Sequence, residues 1–172
     1  MPDDNDSVYR DLVGFLKSDR SDLRTKAAEA VLTVTDMDGI AALVRCGAVP
    51  PLCRIASDPT GTAGRDAIAS LVRLTSVGPS GSQSVEDALD SGAVSRLTEI
   101  ALESPPPSSS SPSSSSSTTD AETERWRERV NSSLAVLANV TRAERGSVEF
   151  CGRSLPDEAV SAGGGGGEHE GG

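Results

Sequence analysis

The residues of this chain that could do chemistry are few. Its single histidine, His169, stands between Glu168 and Glu170 in a glycine run, where nothing holds an imidazole in a productive geometry. With no second histidine there is no Ser-His-Asp or Cys-His arrangement to activate a nucleophile. Cys46, Cys53 and Cys151 form no metal-ligand pattern and no even-numbered disulfide framework; the first two sit at apolar or turn positions and read as small core hydrophobes. Gly61-Thr-Ala-Gly64 and Gly78-Pro-Ser-Gly81 read as glycine-containing loops, but neither follows a strand or carries the lysine that a phosphate cradle needs. The paired acids Asp19 and Asp22, and Asp36 and Asp38, flank helix ends, where capping accounts for them better than acid–base work. Two sequons, Asn131-Ser132-Ser133 and Asn139-Val140-Thr141, lack the secretory route that would glycosylate them. The expectation is a protein that is not an enzyme, with no catalytic residue, no cofactor and no metal.

Charge narrows the partners. Against 16 Lys and Arg stand 26 Asp and Glu, a formal net charge of −10. A phosphate backbone rewards clustered basic residues, so nucleic acid is excluded as a partner, and an anionic membrane surface is disfavoured for the same reason. No apolar run reaches transmembrane length, and Asp3, Asp4 and Asp6 replace the basic start of a signal peptide. The reading is a reduced, cytoplasmic protein whose partner is another protein.

The elements that must position such a contact surface emerge from an internal repeat. Leu12-Val-Gly-Phe-Leu16, Leu52-Cys-Arg-Ile-Ala56 and Leu97-Thr-Glu-Ile-Ala101 each place apolar residues at i, i+3 and i+4, one helical face, and start 40 and 45 residues apart. Val31-Leu-Thr-Val-Thr35 follows 19 residues after the first leading leucine, and Leu71-Val-Arg-Leu-Thr75 follows 19 after the second. Leu137-Ala-Asn-Val-Thr141 follows 40 after the third, and the extra 21 residues are almost wholly a Ser/Pro run and its flanks. Ala28, Ile68 and Leu134, then Val31, Leu71 and Leu137, then Val34, Leu74 and Val140 form an apolar stripe on the second helix of each unit, with small Ala27, Ala67 and Ser133 one position earlier. Thr35, Thr75 and Thr141 end the stripes, where a hydroxyl can bond back to a free carbonyl. Gly47-Ala-Val49 and Gly92-Ala-Val94, with Cys151-Gly152 as a weaker third copy, read as left-handed stops after a short linking helix, and Pro50 and Pro51 suit the next first turn. Three helices recurring about every 40 residues predict an all-α, armadillo-type right-handed helical solenoid of about three repeats.

The expected boundaries are 8–47, 48–92 and 93–152, the last interrupted by a disordered Ser/Pro insert at 104–119, with flexible ends at 1–7 and 156–172. Thr119 and Glu122 resemble a capping box, which starts the long helix near Asp120. Ser104-Pro105 and Ser111-Pro112 fit proline-directed phosphorylation. The glycine tail stands where a fourth repeat is expected, so the chain reads as the N-terminal part of something longer.

Several words in their order resemble a known family. Leu12-Val-Gly-Phe-Leu16, Leu23-Arg-Thr-Lys-Ala-Ala-Glu-Ala-Val-Leu32, Gly47-Ala-Val-Pro-Pro-Leu52 and Leu134-Ala-Val-Leu-Ala-Asn-Val-Thr-Arg142 with Glu144 and Gly146 resemble the eukaryotic Hgh, or brain-protein-16-like, family from Val8 to Gly152 outside the insert. The resemblance implies a cytosolic armadillo-like chaperone adaptor that helps translation elongation factor 2 to fold, linking it to the cytosolic chaperonin and the Hsp90 system. The chain departs from that family in lacking its later repeats and in carrying the insert and glycine tail. The rival reading is an importin- or catenin-like peptide binder, which clamps an extended backbone with asparagines; Asn139 is in place for this, but Thr33 and Arg73 occupy the aligned positions. Counting turns off the apolar stripe places Lys26, Ala30 and Thr33, then Asp66, Ser70 and Arg73, then Ser132, Val136 and Asn139 on the concave groove. Of these, Lys26, Thr33, Arg73 and Asn139 are the candidate partner-binding residues, with recognition centred on Arg73 and Asn139.

Overall fold

A computed structural model describes residues 4–58, 62–76, 78–105 and 117–154, and the described residues contain helices and no strand. The leading helices are α1 (Asp4–Leu16), α4 (Val49–Ala56) and α7 (Ala93–Ala101). The long second helices are α2 (Ser21–Thr33), α5 (Thr62–Ser76) and α8 (Ser117–Val140), and the linking helices are α3 (Met37–Arg45), α6 (Gly78–Asp90) and α9 (Glu144–Ser154).

Local chemistry sets these limits. Asp36 caps α3 by accepting from the Gly39 amide at 2.7 Å. Gly47 and Gly92 sit at φ +78° and +70°, the left-handed turn that ends α3 and α6 and that only glycine adopts without strain. Pro50 and Pro51 stand in the first turn of α4, where a missing amide proton costs nothing. At the end of α1, Arg24 reaches back from α2 to the carbonyls of Ser18 and Asp19 at 3.0 and 2.8 Å. Of the three stripe-ending threonines, Thr75 donates to the Leu71 carbonyl at 2.7 Å and Thr141 to that of Ala138 at 3.3 Å.

Helices α2, α5 and α8 stack side by side in one layer, and the leading and linking helices form the other. The core lies between the layers: Leu16, Leu43, Leu52, Ile68, Leu71, Leu74, Val94 and Leu97 are fully enclosed. Ala27, Ala67 and Ser133 are buried as well, and their small side chains let neighbouring helices approach closely. Truncating one of the enclosed leucines to alanine removes about 2–5 kcal/mol from a core with few aromatic side chains to fill the gap.

The structure departs from the sequence reading at element ends. Helix α1 begins at Asp4, inside the stretch expected to be flexible, and Asp6 pairs with Arg45 of α3 at 3.0 Å. The two glycine-containing loops are helical openings: Gly64 lies in the first turn of α5, and α6 runs from Gly78 through a buried Gly81. Helix α8 starts at Ser117, about a turn before Asp120 and inside the expected insert, so Thr119 and Glu122 are interior helical residues. The remaining 106–116 of the insert and the expected tail at 156–172 lie outside the described residues. Helix α9 continues through Gly152 rather than stopping there. Both mouths of the insert are anchored: Trp126 Nε1 donates to the Glu103 carbonyl at 3.1 Å, and Arg129 pairs with the Glu103 carboxylate. Among the described residues no helix is long and apolar enough to cross a membrane; α3 and α4 together have the composition but meet at 87° and are largely core.

Candidate interaction surface

A helix wedged between two like helices has three covered faces, and α5 displays all of them. Ala67, Leu71 and Leu74 point into the core between layers. Asp66, Ser70 and Arg73 turn toward α2: Arg73 donates through one guanidinium nitrogen to the carbonyls of Leu32 and Val34 at 2.5 and 3.2 Å. Thr75 turns toward α8, where Asn139 donates its side-chain amide to the Val72 carbonyl at 3.3 Å and to Thr75 Oγ1 at 3.1 Å. Position 33/73/139 therefore works the same way twice. Its side chain reaches back one repeat and donates to carbonyls near the end of the preceding long helix.

This corrects the counted groove row. Asp66, Ser70, Val136 and Asn139 are buried in the seams between repeats rather than facing solvent. Ser70 returns its hydroxyl proton to the Asp66 carbonyl at 2.8 Å, so a polar residue is accommodated there at little cost. Arg73 and Asn139 are occupied inside the molecule. Lys26 and Thr33 are exposed: Lys26 pairs with Glu29 at 2.8 Å, and Thr33 bonds the Ala30 carbonyl of its own helix. Leu134, placed by sequence on the apolar stripe, is half exposed.

The free face of the layer is the remaining one. It carries Thr25, Glu29 and Leu32 on α2, Arg65, Ala69 and Val72 on α5, and Asn131, Ala135 and Ala138 on α8, all exposed or partly so. Small side chains form its floor. Arg65 is exposed on it, 3.4 Å from Asp66 and 4.0 Å from Glu128, and Asn131 is exposed on α8. The sequence signal for this face was the same 3.6-residue period, displaced by one residue. The count went astray because it allowed each long helix one buried side instead of three.

Among the described residues, electrostatics mark no reactive centre. Burial pushes the Cys53 thiol up to about 12, which keeps it protonated, while Cys46 is partly buried and Cys151 exposed, all three as free thiols. The hydrogen bond from Arg20 holds Asp22 below the usual carboxylate value, and that from Lys26 does the same for Glu29. Among the described residues no group of three or more His, Cys, Asp and Glu is placed to hold a metal ion.

Stacked units of leading, long and linking helix, with the long helices lining one surface, define an armadillo-like helical solenoid. The fold is similar to a crystal structure of computationally designed armadillo repeat proteins for modular peptide recognition, with TM-score 0.64 and 14% identity over 86% of this chain and 53% of that one. Two further engineered proteins are similar at TM-scores of 0.59 and 0.52, with 15% and 18% identity, over 85% and 91% of this chain and 52% and 73% of theirs. The chain thus spans about half the length of the first two. No family model and no curated protein matches the sequence.

Proposed function

We propose that this chain is a non-catalytic scaffold that docks an extended protein segment across the free face of α2, α5 and α8. The observation behind this is the composition of that face. Ala69, Ala135 and Ala138 let a backbone approach, Arg65 supplies a charged donor fork, and Asn131 offers an amide that can both give and take hydrogen bonds with a peptide unit. The similarity to armadillo proteins designed for peptide recognition supports the mode of binding.

The specific role follows from the resemblance to the Hgh family: a cytoplasmic chaperone adaptor for the folding of translation elongation factor 2, acting with the cytosolic chaperonin and Hsp90. A second reading, an importin- or catenin-like binder of a basic peptide, draws on the net charge of −10. Immobilised full chain offered newly made elongation factor 2 and a basic localisation peptide separates them. Retention of elongation factor 2 alone supports the adaptor. Retention of the basic peptide alone supports the alternative, and retention of neither removes both.

A further inference from the structure

Beyond the end of α7 the chain leaves the repeats through a short exposed segment that α8 holds by one residue. Leu102, Glu103, Ser104 and Pro105 are exposed and follow Ala101, the last residue of α7. Of these, Glu103 is anchored: its carbonyl accepts from Trp126 Nε1 at 3.1 Å, and its carboxylate pairs with Arg129. The carbonyl that Trp126 engages belongs to the peptide group joining Glu103 to Ser104, so Ser104 starts one bond beyond an acceptor held on α8. Pro105 restricts Ser104 to extended backbone, the form in which a kinase cleft takes a substrate. A second guanidinium stands close by, because Arg125 is exposed one helical turn before Arg129. The acids between and beside them are engaged elsewhere: Glu124 pairs with Arg127 at 3.4 Å, and Glu128 with Arg65 at 4.0 Å.

We propose that Ser104 is a phosphorylation site for a proline-directed kinase, and that Arg125 and Arg129 of α8 receive the phosphate. In the transfer, Ser104 Oγ forms a bond to the γ-phosphorus of ATP. The bond from that phosphorus to its bridging oxygen breaks, ADP leaves, and the hydroxyl proton passes to the kinase's catalytic base. The product carries about −1.5 to −2 charge and three strong acceptor oxygens. It stands beside the like charge of Glu103, but two guanidiniums on α8 offset that repulsion, and each can meet the phosphate with paired N–H donors. The near side of the insert is then fastened to α8 through Ser104 as well as through Glu103. The inference does not depend on the proposed partner.

The test uses the full chain carrying Ser111→Ala, which silences the other Ser-Pro pair. It is incubated with ATP and purified kinases of the cyclin-dependent and mitogen-activated classes. Peptide mass spectrometry should place the phosphate on Ser104, and Ser104→Ala should lose it. The phosphorylated chain should melt about 2–4 °C above the unphosphorylated one at low salt, and this gain should shrink at about 1 M salt. The fluorescence of Trp126, the single tryptophan, should change with phosphorylation. In Arg125→Gln, Ser104 should still accept the phosphate while at least half of the melting gain disappears. The proposal is overturned by the absence of phosphate on Ser104 with both kinase classes, or by a phosphate that leaves melting unchanged or lowers it. A gain that persists undiminished in Arg125→Gln overturns it as well.

Discussion

Arg73 and Asn139 each donate to carbonyls near the end of the long helix one repeat back. In this molecule the next repeat supplies the donors, so each of these side chains belongs energetically to the seam and not to one helix. Arg73→Ala and Asn139→Ala should each lower unfolding stability by about 1–3 kcal/mol, measured by denaturant titration, because each removes the side-chain donor that ties one repeat to the one before it. Thiol chemistry gives a second expectation at this scale. A maleimide should label Cys151 promptly in the folded chain at neutral pH, whereas Cys53, buried and with its thiol pushed up to about 12, should react only on unfolding. Much at this scale was legible in sequence: the leading leucines, Thr75 and Thr141 at the stripe ends, and the Asp36 cap sit as their types demand. The direction of Asp66, Ser70 and Asn139 was not. A polar residue reads as solvent-facing unless its hydrogen-bond partner is known, and those partners lie on its own helix or one repeat away.

At the scale of elements, the stops at Gly47 and Gly92 and the proline start of α4 were readable, whereas the stop at Gly152 and the starts of α1 and α8 were not. Gly47 and Gly92 are the left-handed exits expected of a glycine after a short helix. A Cβ at either position would meet nothing within 4 Å, so Gly47→Ala or Gly92→Ala should cost about 1–2 kcal/mol through backbone conformation alone, as thermal denaturation would register. Helix starts lack so strong a marker. Serine and threonine at 117–119 resemble the low-complexity run before them, yet they extend α8 by its first turn. Trp126 and Arg129, both bonded to Glu103, fix the far side of the insert. Replacing 106–116 by a Gly-Ser linker of about half its length should therefore change stability by only about 0.6 kcal/mol, the loop-closure difference for a twofold change in length. A larger loss would mean that this segment packs on the repeats.

The described residues form a short stack in which each repeat touches its neighbours, so stability is distributed along the seams, and the proposed recognition falls on the face of the long helices that no seam covers. Composition and the 40- and 45-residue spacings were enough to reach the solenoid. They could not say which of four faces of a long helix stays open, because that depends on helices stacking on both sides. The central claim is that Arg65 and Asn131 serve recognition while Arg73 and Asn139 serve the fold. It is tested most directly by comparing Arg65→Ala/Asn131→Ala with Arg73→Ala/Asn139→Ala in the full chain, each measured for melting and for capture of elongation factor 2. The account predicts that the first pair melts as the wild type and loses capture roughly tenfold or more, while the second melts at lower temperature. A first pair that captures normally, beside a second that melts normally and fails to capture, would contradict it.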